Sequence, residues 1–150
     1  MNVASLCTRR VAVIDRSASV VDAAVRMREE HVGTLVVVDE REGRLVPIGI
    51  LTDRDIVISV VARAVDDLKS LRVDDIVTRS IVTAHDDEDA LLVARRMREN
   101  GVRRLPVVDA EGELAGIVTV DDLIGGVHAE MAEIAHLVAH QPRAEAAFRP

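Results

Sequence analysis

The chain has almost no aromatic side chains. Phe148 is the single one among 150 residues, and Trp and Tyr are absent. Proteins that hold single-stranded nucleic acid stack its bases on aromatic platforms, so that class is excluded. Any purine held here must sit between aliphatic side chains and backbone groups. Cys7 is the only cysteine, which rules out an internal disulfide. Lys69 is the only lysine, so arginine carries nearly all the positive charge. Arginine suits planar, bidentate recognition of phosphate and carboxylate. A formal net charge of −7 removes the concentrated positive field that a nucleic-acid backbone demands. No apolar run reaches the roughly 18 residues that a membrane helix needs. Arg9 and Arg10 interrupt the N-terminus before a signal-peptide core can form. These absences set the expectation of a soluble, cytoplasmic protein with neither nucleic acid nor membrane as a partner.

What the chain does contain, it contains twice. Met27 to Asp39 reads M-R-E-E-H-V-G-T-L-V-V-V-D, and Met97 to Asp109 reads M-R-E-N-G-V-R-R-L-P-V-V-D. The copies lie 70 residues apart. A second echo follows each: Gly49-Ile-Leu-Thr52-Asp-Arg-Asp55, then Gly116-Ile-Val-Thr119-Val-Asp-Asp122. Thr8-Arg9 and Thr78-Arg79 repeat at the same offset, so the duplication covers most of residues 6–126. A duplicated unit implies two similar lobes and two similar sites between them.

Pattern reading places a strand at 11–14 and an amphipathic helix after it, capped by Ser19 with Asp22 near its third position. A β-branched strand follows at 35–38, then a turn at 41–44, a return strand at 47–51 and a helix from about Asp53 to Ala64. After a polar connector the order recurs: a helical turn at 74–77, a strand at 81–83, a helix at 89–99, strands at 104–108 and 114–119, and a final helical region. The fold class is therefore α+β, built from tandem β-α-β-β-α repeats. Each repeat is a small sheet with flanking helices, and the two are related by a pseudo-two-fold axis. The expected division is 1–70 for the first motif with its N-terminal segment and linker, 71–126 for the second motif, and 127–150 for a C-terminal helix and mobile tail.

The chemistry concentrates in the Gly-x-x-Thr-x-x-Asp turns. Each lies where a strand ends and a helix begins. There the Thr hydroxyl sits beside unpaired N–H groups and the positive end of the helix dipole, which suits a phosphate. The Asp one turn later has acceptor oxygens for both hydroxyls of a ribose. T-x-x-D is equally a capping-box pattern that needs no ligand. Arg103-Arg104, at the mouth of an apolar strand, could hold a phosphate chain. The first repeat has Gly33-Thr34 in their place.

Beyond residue 126, Val127, Met131, Ile134 and Val138 fall on one helical stripe that packs on the module or on a second copy. The pair Gly125-Gly126 is expected to bend or break the helix. His136 and His140 have a metal-compatible spacing, but no cysteine or placed carboxylate accompanies them, so a polar helix face is the reading adopted. No nucleophile elbow, P-loop, zincin or dinucleotide-binding motif is present, and the chain is not expected to be an enzyme.

The doubled β-α-β-β-α order, the V-V-D strands and the G-h-x-T-x-x-D turns resemble a tandem pair of CBS domains, a Bateman module, here as a stand-alone protein. The resemblance covers nearly the whole chain. It implies a regulatory module that senses an adenosyl ligand (AMP, ADP, ATP, NAD or S-adenosylmethionine) in the cleft between motifs, with no required cofactor. By that resemblance Thr52 and Thr119 contact phosphate, and Asp55 and Asp122 contact ribose. Arg103 and Arg104, with Arg54 as a weaker candidate, meet the phosphate. Thr8, Thr78 and Val82 line the base or sugar pocket. It also implies a flat homodimer formed through helices, and a regulated protein that reads the change. The rival is a ligand-free structural or dimerisation module whose T-x-x-D motifs are only helix caps.

Overall fold

In the computed structural model, residues 1–77 and 80–148 are described, with side chains only as far as Val138 in the last helix. Two three-stranded sheets form the frame. The first contains β1 (Val13–Asp15), β2 (Thr34–Arg41) and β3 (Arg44–Thr52) in that order. The second contains β4 (Ala84–His85), β5 (Arg104–Val108) and β6 (Leu114–Thr119). In each, the outer short strand runs parallel to the middle one, and a hairpin supplies the antiparallel third. The helix α1 (Val20–Glu30) crosses between β1 and β2; α4 (Ala90–Asn100) does the same in the second unit. Between the units lie α2 (Asp53–Ile56) and α3 (Val73–Ile76), and α5 (Val120–Phe148) follows β6. The β-α-β-β-α order is thus present in both halves.

Local chemistry accounts for the boundaries. Ser19 caps α1 by accepting from the Asp22 N–H at 3.0 Å, while the Asp22 carboxylate accepts from the Ser19 N–H and hydroxyl. The β2–β3 hairpin closes through Glu42 and Gly43, both with positive φ (53° and 77°), the two-residue turn whose twist suits a hairpin. The strands expected at 11–14 and 81–83 are instead 13–15 and 84–85, because pairing begins only where Val13 meets Val36 and Ala84 meets Val107.

Two expectations about helices are corrected. The helix expected from Asp53 to Ala64 is one α-turn followed by a π-helix over Val57–Val61. Its wide bonds run from Ala62 N–H to the Val57 carbonyl and from Val65 N–H to the Val60 carbonyl. A Val-Ile-Ser-Val-Val run crowds a tight helix, and the wider turn leaves Val60 buried with Val57, Ile58 and Val61 outside. The second correction is at Gly125-Gly126, where α5 runs on without a break. A Cβ on Gly126 would meet Met1 Sδ at 2.5 Å and Leu6 Cδ2 at 2.7 Å, so this glycine admits the N-terminal segment against the helix. The helix continues through the tail expected to be mobile, as far as Phe148; side chains beyond Val138 lie outside the described residues.

The repeats exchange their leading segments. Val3 is fully buried among Val93, Met97, Leu105 and Val118 of the second unit. Its counterpart Val73 is fully buried among Ala23, Met27, Leu35 and Leu51 of the first. Each segment lies over a glycine of the sheet it joins. A Cβ on Gly49 would come within 2.5 Å of Val77 Cγ1, and one on Gly116 within 3.0 Å of both Cys7 Sγ and the Thr8 carbonyl oxygen. Each sheet also carries a register shift opposite that glycine, at Val37/Val38 and Val107/Val108. Each core therefore needs residues from both ends of the duplication. Among the described residues no helix is long and apolar enough to cross a membrane.

Candidate ligand site

Thr52 and Thr119 both end a strand and cap the helical turn that follows. The Thr52 hydroxyl accepts from the Asp55 N–H at 3.1 Å, and Asp55 Oδ2 accepts from the Thr52 N–H at 2.9 Å and its hydroxyl at 2.6 Å. Thr119 and Asp122 match this at 3.2, 2.8 and 2.7 Å. One oxygen of each carboxylate takes both local bonds. The other, Oδ1, receives none from the described residues. Thr52, Asp55, Thr119 and Asp122 are all half-buried.

The sheets bring these turns into one row. Thr34 pairs with Thr52 across β2 and β3, and Arg104 pairs with Thr119 across β5 and β6. Arg104 Nη1 then donates to Thr34 Oγ1 at 2.5 Å, from one unit to the other. Thr34 and Arg104 are counterparts in the duplication, 70 residues apart. Equivalent residues touch one another only on the axis that relates their repeats. The row therefore reads Thr52, Thr34, Arg104, Thr119, with the guanidinium at its centre.

Arg104 is half-buried, and no carboxylate of the described residues pairs with it. Its planar head has five N–H donors, of which Thr34 takes one. Arg103 is exposed and likewise makes no ion pair among the described residues. The first unit differs here. A Cβ on Gly33, the counterpart of Arg103, would lie 2.9 Å from Asp53 Oδ2, so a carboxylate fills that corner. The Asp53 N–H also donates to the Gly33 carbonyl at 3.1 Å, as Val120 N–H does to Arg103 at 2.9 Å. The backbone is duplicated, and the charge it presents is reversed.

The remaining candidates are more scattered. Thr8 is exposed; its backbone exchanges two hydrogen bonds of 2.9 Å with Ile117, three residues after Leu114 opens β6. Val82 is half-buried and packs on the second core. Arg54 is exposed on the first turn after Thr52. Thr78 lies outside the described residues. Sequence reading passed over Thr34 and Asp53 as participants. The signal for Thr34 was its position as the counterpart of Arg104.

Two hollows of the molecule lie away from the row. A groove of about 420 Å³ lies elsewhere, between α4 and α5, lined by Leu91, Met97, Leu123, Ile124 and Val127 among others. A polar hollow of about 430 Å³ lies beside α1, with Asp22, Arg26, Glu29 and Glu30 on its walls. None of the Thr-Asp pairs lines either. Among the described residues no group of three or more His, Cys, Asp or Glu side chains is placed to hold a metal ion; the His140 side chain is outside them.

The family model for the CBS domain matches residues 3–62 and again 73–129. The chain belongs to the CBS domain family. Uncharacterized protein MK0525 of Methanopyrus kandleri is 34% identical over 124 residues, which is 83% of this chain and 61% of that one. The chain thus spans under two thirds of that relative. A putative signal-transduction protein with CBS domains from Burkholderia ambifaria superposes with a TM-score of 0.72 at 29% identity, covering 86% of this chain and 95% of that one. The CBS domain pair of protein MJ0100, solved with 5′-methylthioadenosine and S-adenosyl-L-methionine, gives a TM-score of 0.68 at 28% identity over 82% of this chain and 96% of that one. The resemblance read from the doubled motifs is therefore correct, and the two small sheets with flanking helices are a CBS-pair fold.

Proposed function

We propose that this chain is a regulatory module that binds an adenosyl ligand at the Thr52–Thr34–Arg104–Thr119 row, with any phosphate held by the second repeat. The observation that carries the reading is the Arg104 guanidinium, half-buried on the pseudo-two-fold axis without a carboxylate partner among the described residues. A cation in that setting favours an anion, and charge-assisted bonds to it contribute about 1.5–3 kcal/mol each. Arg103 adds positive charge on the same side, and Asp122 keeps one oxygen available for a ribose. Asp53 beside Gly33 opposes a phosphate at the equivalent place in the first repeat. The adenosyl compounds bound by the MJ0100 domain pair support the ligand class.

The ligand acts as an effector. Arg104 bonds across the two repeats, so an anion that draws its guanidinium away from Thr34 changes how the repeats are tied. The response is limited by the difference in affinity between the two arrangements.

A second reading treats the Thr-Asp turns as caps alone. Ser19 and Asp22 favour it, because they form the same box at a helix start outside the row. Asp122→Ala does not separate the readings, since Asp122 caps α5 in both and its loss costs about 0.5–2 kcal/mol either way. Arg104→Met does separate them, because Arg104 caps nothing. Calorimetric titration of ligand-stripped protein with AMP, ADP, ATP, NAD and S-adenosylmethionine should give one phosphate-bearing ligand per chain. Arg104→Met should weaken that binding about ten- to a hundred-fold. No heat from any of the five returns the chain to the cap-only reading.

A further inference from the structure

The helix α5 has 29 residues and outlasts the family match, which ends at residue 129. Its apolar positions Val120, Ile124, Val127, Met131, Ile134 and Val138 are spaced alternately by four and three, the seam of a two-helix pairing. Only its start rests on the module, where Val120 packs partly against the second core. Ile124, Met131, Ile134 and Val138 are each more than 60% exposed.

We propose that two copies of this chain exchange these helices antiparallel, so that the projecting segment of one α5 lies in the apolar groove between α4 and α5 of the other. The spacing supplies the register. With Val127 opposite the second copy's Met131, Ile124 meets its Ile134 and Val120 meets its Val138, so every apolar position on the seam has a partner. The groove beside Ile124 and Val127 is walled by Leu91, Ala94 and Met97, a hydrophobic trough at the place where the arriving segment lies. A parallel pairing leaves that trough open. Charge points the same way. Arg95 and Arg98 on α4 and Glu130 and Glu133 on α5 are exposed, and none of the four makes an ion pair within the described chain. The exchange sets an acidic arm beside a basic helix. The hollow beside α1 in the first repeat has a different lining, with Asp22, Arg26, Glu29 and Glu30 beside Ile14 and Val25.

The test is sedimentation equilibrium on the full chain, with no nucleotide needed. The parent should be a dimer. Met131→Glu with Ile134→Glu should be a monomer with an unchanged circular dichroism spectrum in the sheet region, since both side chains stand in solvent in the single chain. A monomeric parent, or a variant that remains dimeric, overturns the exchange. Orientation is read by disulfide trapping in a Cys7→Ala background. Ile124→Cys together with Ile134→Cys should cross-link two chains, and Ile134→Cys alone should not. Cross-linking by Ile134→Cys alone means parallel helices and overturns the proposal.

Discussion

The two repeats agree inside and disagree outside. Over 31–40 and 101–110 the pattern of buried, half-buried and exposed residues is identical, position for position. Leu35 and Leu105, Val37 and Val107, Met27 and Met97 fill equivalent places in their cores. At the surface the equivalents part. His31 ends α1 with φ of 53°, and Gly101 ends α4 with φ of 64°. Thr34 faces Arg104, and Gly33 with Asp53 stands where Arg103 and Val120 stand in the second repeat. Packing tolerates little change in buried volume, so the cores stay alike. Exposed positions carry no such constraint and are free to differ. One fold therefore presents a positive corner in one half and a negative corner in the other.

Core substitutions challenge the agreement most strongly. Leu35→Ala and Leu105→Ala should each cost about 2–5 kcal/mol in chemical denaturation. Because Val3 and Val73 cross between units, either change should lower a single cooperative transition. Two separate transitions would show that the repeats fold independently, against the exchange of segments.

The helix ends should respond less, and with opposite signs. Gly101→His places a Cβ in the left-handed region and should cost about 1 kcal/mol. His31→Gly removes one and should raise the melting temperature by a similar free energy. Equal shifts of one sign would mean that the two ends are not equivalent.

The smallest effect concerns a clamp that only the second repeat has. Arg96 grips both oxygens of Glu88 at 2.5 and 2.8 Å and also donates to the Thr83 carbonyl at 2.7 Å. In the first repeat Ala18 replaces Glu88, and Arg26 turns to Glu30. The Arg96 hydrogen bonds, opposed by burial and aided by the His85 N–H, hold the Glu88 carboxyl below its ordinary value of 4.5. A lowered carboxyl pKa stabilises the fold above the unfolded value, and that contribution is lost as pH falls through the folded one. Glu88→Gln should thus cost up to about 1 kcal/mol at pH 7, because water still reaches the half-buried pair and screens it. Melting curves of variant and parent should converge as pH drops below 4.5. A gap that persists in acid would assign the effect to packing.

Much of this was legible in the chain. The repeat at 70 residues, the Ser19 and Thr-Asp boxes, the hairpin at Glu42-Gly43 and the family all follow from residue order, because caps, turns and periodic faces are local. The misreadings were places where distant segments meet. Gly126 looks like a helix breaker until Met1 and Leu6 are seen against it. The Val57–Val61 run looks like an ordinary helix because hydrophobic periodicity does not report the width of a turn. Nothing local to Gly116 shows that Cys7 and Thr8 lie against it.

By itself the sequence determined that the protein is a doubled β-α-β-β-α unit with two capped Thr-Asp turns, since duplication and capping are written in short-range order. Only the tertiary structure decided that leading segments cross over and that Arg104 meets its own counterpart Thr34 across the pseudo-two-fold axis. Contacts on an axis depend on how two lobes close on each other. That closure is set by the summed burial of both cores, which no local stretch of chain encodes.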